Sequence, residues 1–326
     1  MKYFISLFIL FGIFIFSITV FLTHNQNLSK ENLELYNKAR DFSGQVEEKI
    51  WEGFEFDSYP IAFRQKNTDY VLYNNEIITR EPILPVAACT AQMVDNKVNV
   101  FMLSKEDMDT FSEFAEGFSD DKYILSKLSI GGNGVSNEEY ICILYHESFH
   151  AYQIERYNID DFFNIIKEGN LNIQRIFDII DGSDIIQLYK NEAEVLNKVF
   201  DSYNKEDLKL VANEYLESRL CRIDTLRKTL SSSDFEMLMK LEQFYETVEG
   251  TATYVSLKTA QVIGSDIVYN KHKNSLLNDF YGTKKYYNSG MALCILLDKL
   301  EVEWKISAFR NKKLQTIVED VLEGNL

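Results

Sequence analysis

The sequence predicts an α+β fold, predominantly α-helical, in which a small N-terminal β-sheet precedes a series of helices. All three prolines, Pro60, Pro82 and Pro85, lie in one stretch of the chain. Residues 55–105 contain short runs of β-favouring residues between turn signals, which is typical of a small sheet. After Asn137, apolar residues recur at three- and four-residue spacing, the period of an α-helix.

The first 27 residues are predicted to be a transmembrane helix. No charged residue interrupts the apolar run from Tyr3 to Leu22, and Lys2 precedes it. A helix of this length, at about 1.5 Å per residue, spans a bilayer core of roughly 30 Å. The run does not end in the small residues of a signal-cleavage site. We therefore expect a single-pass anchor in the cell membrane with the rest of the chain on the extracytoplasmic side; secretion after cleavage of a signal segment is the alternative.

The remainder of the chain is acidic, and this limits its partners. The formal net charge of the whole sequence is −16 at pH 7. A surface with this charge repels the phosphate backbone of nucleic acids, so nucleic acid is not expected as a partner.

Local sequence patterns predict the strands and helices of the chain beyond the anchor. Strands are predicted near Tyr59–Phe63, Tyr70–Tyr73, Val86–Met93 and Val98–Leu103. Helices are predicted near 28–52, 105–117, 137–157, 160–180, 184–203, 205–230, 232–262, 285–303 and 306–323. Beyond the anchor, the chain divides into 28–136, with a helix and the sheet, and a helical part, 137–326. Because no repeat or low-complexity linker separates these parts, we expect 28–326 to form one compact unit.

A metal-binding pattern lies on the helix predicted over 137–157. Positions 146–150 read His-Glu-Ser-Phe-His. Residues four apart project from the same face of a helix, so His146 and His150 can bind one metal ion. Glu147 lies about 100° around the helix and can instead flank a water molecule at that ion. The pattern predicts a site for one Zn²⁺ ion.

The sequence offers several candidates for a third ligand, which a catalytic zinc site requires. Cys142 lies one helical turn before His146, although a buried thiol is the commoner interpretation of a cysteine in an apolar run. Glu192 and Glu194 lie together on another predicted helix, where a solvated face is the commoner interpretation, and Glu249 lies on a third helix. Spacing alone leaves the choice among these residues open.

The histidine pattern and the segment E-G-x-A-x-Y at 249–254 together resemble the gluzincin metallopeptidases, the superfamily of thermolysin and aminopeptidase N. In that superfamily the glutamate of this segment is the third zinc ligand. The resemblance therefore implies that Glu249 completes the site with His146 and His150. It also implies hydrolysis of peptide bonds by a metal-activated water, with Glu147 as general base and then general acid.

A third segment, Y-x-x-G-x-A at 287–292, resembles the aminopeptidase branch of the superfamily, in which the tyrosine hydrogen-bonds to the tetrahedral oxyanion. The resemblance implies this role for Tyr287, with Tyr286 as the alternative. The G-x-M-E-N element that binds a free amino terminus in that branch is absent from the sequence, so aminopeptidase activity is not implied. The 98 residues between His150 and Glu249 are also more than in well-known members.

Two polar residues beside the ligands are candidates for supporting roles. Glu246, one turn before Glu249, is the candidate for orienting a zinc-bound histidine. Gln153, one turn after His150, is the candidate for orienting a ligand or contacting substrate.

The sequence thus predicts a zinc metallopeptidase, a hydrolase whose substrate is a peptide or protein. The alternative is a catalytically silent module that binds metal or interacts with a partner at the cell surface. The two interpretations differ in whether zinc is accompanied by turnover. Glu147 favours the peptidase, because a silent zinc site has no need of that carboxylate.

Overall fold

A computed structural model describes residues 27–85, 87–116, 134–157, 173, 175–309 and 312–325. The architecture is α+β and predominantly helical with a small five-stranded sheet, as the sequence predicts. Within the described ranges, none of the helices combines the length and the apolar character needed to cross a bilayer. The predicted anchor at residues 3–22 lies outside these ranges.

Contacts within the chain divide it into two units. The N-terminal unit comprises residues 1–114 and 131–152, and the C-terminal unit comprises residues 115–130 and 153–326. The helix Asn137–Tyr157 is continuous across the boundary, so its last residues, from Gln153 onward, belong to the C-terminal unit.

The N-terminal unit combines the sheet with several helices. Its helices are α1 Lys30–Asp41, α2 Ser43–Lys49, α3 Lys105–Glu116 and α4 Asn137–Tyr157. Its strands are β1 Ile61–Gln65, β2 Thr68–Tyr73, β3 Glu76–Arg80, β4 Thr90–Val94 and β5 Lys97–Leu103. The strand order is β3-β2-β1-β5-β4, with β1 and β5 parallel and the other pairs antiparallel.

Two tight hairpins shape the edges of this sheet. Asn74 and Asn75 join β2 to β3 with φ of 51° and 64°, and Asp95 and Asn96 join β4 to β5 with φ of 50° and 61°. Asn and Asp tolerate this left-handed conformation better than other side-chain-bearing residues, which explains their presence in the turns. The sequence pattern does not predict β3, because its side chains are mostly exposed and the strand lacks an apolar face.

Aromatic packing fixes the rotation of α4 within the N-terminal unit. The ring of Phe149 lies 4.7 Å from that of Trp51 and 5.2 Å from that of Phe54. Tyr145 is fully buried one turn earlier, and its hydroxyl donates to the carbonyl oxygen of Ala39 at 2.7 Å. These contacts fix the rotation of α4 about its axis. They therefore also determine the direction of the neighbouring face, which carries His146 and His150.

The C-terminal unit is built from helices, and most of them were predicted. They are α5 Ile185–Asn197, α6 Lys205–Thr229, α7 Ser232–Phe244, a π-helical turn Tyr245–Glu249, α8 Gly250–Val262, α9 Asp266–Asn278, α10 Lys284–Lys299, α11 Lys305–Ala308 and α12 Leu314–Leu322. Helix α9, which carries His272, is not among the predicted helices. Most of the helix expected over 160–180 lies outside the described residues.

The centre of the C-terminal unit is the crossing of α8 and α10. Side chains on every face of α8 are buried from Gly250 to Leu257, which marks it as a core helix. At the crossing, a Cβ on Gly250 would lie 2.6 Å from the Cα of Gly290. The two helices can approach this closely only because both positions are glycine.

Candidate metal centre

His146 and His150 face each other on α4, as their spacing predicts. Their Nε2 atoms are 3.1 Å apart, and their rings are nearly perpendicular, with an interplanar angle of 87°. Two ligands of a tetrahedral ion with bonds of about 2.0 Å are separated by roughly 3.3 Å. The two imidazole nitrogens therefore already stand at about the separation that one ion requires.

Glu249 joins the two histidines in a single group. One ligand atom from each of His146, His150 and Glu249 lies within 4.8 Å of the other two, and all three residues are partly exposed. This group could hold a metal ion. The other candidates differ in their surroundings: the Cys142 side chain is buried, and Glu192 is buried beside Arg222.

The π-helical turn Tyr245–Glu249 determines the direction in which the Glu249 side chain projects from its helix. The sequence predicts one regular helix over 232–262, but the structure inserts this turn between α7 and α8. One extra residue rotates everything that follows by about 100° relative to a regular helix. Turns of this kind are frequent at functional sites, and nothing in the apolar periodicity of this segment reveals it.

Gln153 holds the segment that carries Glu249. Its side chain is fully buried, and Nε2 donates to the carbonyl oxygen of Val248 at 2.9 Å and to Oγ1 of Thr251 at 2.8 Å. These two acceptors flank Glu249 in sequence, and Gln153 lies one turn after His150 on α4. The contacts suit the orienting role suggested by the sequence, which stays a prediction.

Glu246 forms hydrogen bonds that the sequence does not predict. Its side chain is buried, and its carboxylate accepts hydrogen bonds from Arg219 at 2.7 and 2.9 Å and from Ser289 at 2.8 Å. Its hydrogen-bond partners in the described part of the chain therefore include no imidazole. Glu246 therefore anchors the π-helical turn to Arg219 and Ser289, and its role toward a zinc-bound histidine stays a prediction.

Arg219 belongs to a buried charge network that the sequence does not reveal. Arg222 bonds to Glu192 and Glu242, and Arg219 also bonds to Glu242. Burial raises the pKa of Glu242, but the guanidinium groups of Arg219 and Arg222 outweigh it and lower the pKa to about 2. The expectation that Glu192 lies on a solvated helix face was wrong, because its side chain is buried.

The two tyrosines of the third segment occupy different environments. Tyr286 is buried, and its hydroxyl shares a hydrogen bond of 3.0 Å with the hydroxyl of Tyr189. Tyr287 is partly exposed, and its ring lies 5.6 Å from that of Tyr245. Burial, and then the charge of Glu249, raise the pKa of Tyr245 to about 12. Tyr287 therefore lies beside the Glu249 segment and is accessible, whereas Tyr286 faces the core.

The crossing of α8 and α10 explains why the second and third segments come together. A Cβ on Gly290 would lie 2.3 Å from the carbonyl oxygen of Glu246, so α10 rests directly on the π-helical turn. Gly250 follows Glu249, and Gly290 lies three residues after Tyr287. The two motif glycines thus bring the backbones that carry these side chains into contact.

Glu147 acts electrostatically on the residue that precedes the edge strand β4. Its side chain is partly exposed on α4. Burial of the Cys89 thiol, and then the charge of Glu147, raise the pKa of Cys89 to about 12. Cys89 immediately precedes β4, which is an edge strand. The charge of Glu147 therefore acts on the residue before this edge strand, a relationship that the scattered cysteines give no reason to predict.

Comparison with known protein families, with curated proteins and with solved structures found no match to this chain. The resemblance to gluzincins therefore depends on the three short segments. The function has to be inferred from the geometry of the site itself.

Proposed function

We propose that this chain is a zinc-dependent peptidase of the gluzincin type, with His146, His150 and Glu249 as the zinc ligands. The supporting observation is that ligand atoms from these residues, on helices far apart in sequence, lie within 4.8 Å of one another. Two imidazoles and one carboxylate form a donor set of catalytic zinc sites, which keep one position for water. Calcium and magnesium prefer oxygen ligands throughout, so the histidine pair favours zinc.

The residues of the site have complementary chemical roles in this proposal. When bound, zinc would supply a Lewis acid that polarises the substrate carbonyl and lowers the pKa of water. Glu147 would accept a proton from the attacking water and then donate it to the leaving amine. Tyr287 would donate a hydrogen bond to the developing oxyanion, a contribution of about 3 kcal/mol in comparable sites.

The edge of β4 offers a way to bind a peptide. β4 ends the strand order, so its outer N–H and C=O groups face no further strand within the described ranges. Extended peptides bind such edges by adding a strand to the sheet. Cys89, which immediately precedes β4, feels the charge of Glu147, and in this proposal a peptide along the edge would be presented to the general base.

The proposal includes a cellular location, which the sequence alone supports. The uncharged run from Tyr3 to Leu22 would anchor the protein in the cell membrane and place the peptidase outside the cytoplasm. Peptides or proteins would be the substrates there, and the acidic surface disfavours nucleic acid.

Zinc content and turnover of the full-length protein in detergent test the proposal. We expect one zinc per chain and hydrolysis of a quenched peptide mixture by the wild type. Glu249→Ala should lose zinc, whereas Glu194→Ala, which changes an exposed glutamate on α5, should keep it. Glu147→Gln should keep zinc and lose hydrolysis.

Three results would contradict this assignment. Equal zinc in the wild type and Glu249→Ala would remove Glu249 from the site. Turnover retained by Glu147→Gln would exclude the proposed mechanism. Zinc without hydrolysis in the wild type would favour the silent metal-binding module.

A further inference from the structure

Two adjacent lysines begin α10, and within the described ranges only Lys285 forms an ion pair. Lys285 is buried, and its Nζ lies 3.0 Å from Oδ1 of Asp181 and 2.7 Å from the carbonyl oxygen of Gly282. Lys284 is partly exposed and forms no hydrogen bond and no ion pair with the residues that the structure describes. A cation is disfavoured at the positive end of a helix dipole, so a lysine there that forms no ion pair needs an explanation.

Lys284 lies next to the residues proposed to act on the substrate. Its Nζ is 4.9 Å from the centroid of the Tyr287 ring, within range of a cation–π interaction. Burial lowers the pKa of Lys284, while the charges of Glu249 and then Asp279 oppose the lowering. The ammonium group is therefore within the electrostatic field of a proposed zinc ligand and against the proposed oxyanion donor.

A bound ion changes what this ammonium can attract. The carboxylate of Glu249 would be shared with the metal, which leaves Asp279 as the other carboxylate whose charge acts on Lys284, and Asp279 forms no ion pair with it. Lysine acts as a compact point charge with three donors, which suits a carboxylate. An incoming anionic group would gain a charge-assisted hydrogen bond and would relieve the unfavourable charge at the start of α10.

We propose that Lys284 is a specificity-determining residue that binds a carboxylate of the substrate near the scissile bond. This inference rests on the proposed peptidase function. The carboxylate has two possible sources with the same chemistry: the free C-terminus of a short peptide or the side chain of an internal Asp or Glu.

Paired peptides distinguish the two sources. One pair differs only in a C-terminal carboxylate or carboxamide, and the other, blocked at both ends, differs only in Glu or Gln next to the cleaved bond. The wild type should cleave the carboxylate member of one pair with a kcat/KM at least about tenfold higher. Lys284→Met should lower kcat/KM for the carboxylate member to that of its neutral partner, and Lys284→Arg should partly restore the preference.

Binding gives a second readout that needs no turnover. The same pairs are titrated by calorimetry into zinc-loaded Glu147→Gln, with and without Lys284→Met. We expect the preference for the carboxylate in Kd to disappear with the lysine. Lys240→Met, which removes one charge from an exposed position on α7, should leave the preference intact.

The outcomes separate this inference from the function on which it rests. Binding that prefers the carboxylate through Lys284, without hydrolysis by the wild type, would support the lysine and contradict the peptidase. Hydrolysis without any carboxylate preference, or an equal loss for neutral and charged peptides in Lys284→Met, would overturn the role of Lys284. Absence of both binding and hydrolysis would overturn both proposals.

Discussion

Replacing Gly290 with alanine would push a methyl group into the backbone of the π-helical turn. The added Cβ would lie 2.3 Å from the carbonyl oxygen of Glu246, 2.8 Å from its Cα and 2.9 Å from its carbonyl carbon. Restoring ordinary van der Waals distances requires the two backbones to separate by about 1 Å. No side-chain rotation can supply this movement, because all three obstructing atoms belong to the main chain.

The size of the effect follows from two opposing contributions. Overpacking a core typically costs about 1 to 3 kcal/mol, and the backbone obstruction places Gly290→Ala at the upper end. Alanine recovers about 1 kcal/mol of helix propensity relative to glycine. We expect a net loss of roughly 2 kcal/mol in the free energy of unfolding, which corresponds to a Tm about 4 to 8 °C lower in a unit of this size.

Thermal unfolding and zinc competition measure this prediction. The displaced carbonyl belongs to the turn that ends at Glu249, so Gly290→Ala should also weaken zinc binding. Gly44→Ala is the matched control, because Gly44 lies on α2 and an added Cβ there meets nothing within 4 Å. That variant should gain up to about 1 kcal/mol and keep its zinc affinity. If Gly290→Ala matched the control in both measurements, the argument from close approach would be refuted.

Two further predictions concern the support of the site. Gln153→Leu should destabilise the protein by about 1 to 3 kcal/mol, because the carbonyl of Val248 loses a buried donor, and it should weaken zinc binding in the same competition assay. Ionisation of Glu242 should stabilise the fold above pH 4.5 by on the order of 3 kcal/mol, and this stability should disappear as the pH falls from 4.5 towards 2. Burial raises the pKa of Glu192 above 4.5, so this residue affects stability in the opposite direction. Its contribution to the free energy of unfolding is present below pH 4.5 and is lost as the pH rises through the pKa of the folded state. Urea unfolding at a series of pH values should show a shallower acid dependence in Glu242→Gln than in the wild type, and an unchanged dependence would contradict the assignment.

The part of the site that depends on local spacing is predictable from the sequence. His146 and His150 are one turn apart on a strongly patterned helix, and the structure places their ring nitrogens 3.1 Å apart. The helix itself was predicted over 137–157 and is observed as Asn137–Tyr157. Glu249 is different, because periodicity could not distinguish it from the other glutamates and only the resemblance pointed to it.

The features that sequence patterns miss are those created by distant partners. Glu192 has the pattern of a solvated residue, yet Arg222, 30 residues later, pairs with it inside the core. The strand Glu76–Arg80 has no apolar face and is held by pairing with β2. Lys284 and Lys285 look equivalent in the sequence, and only the position of Asp181 makes them different.

The π-helical turn also has an implication for how this chain can change. Deleting a single residue from Tyr245–Val248 would restore a regular helix and swing the Glu249 carboxylate by about 100°. The same rotation would pass into α8, where every face from Gly250 to Leu257 is packed against neighbours. The direction of the Glu249 side chain and the packing of the core therefore depend on the same helical register, and sequences that keep this core are bound to keep the inserted residue as well.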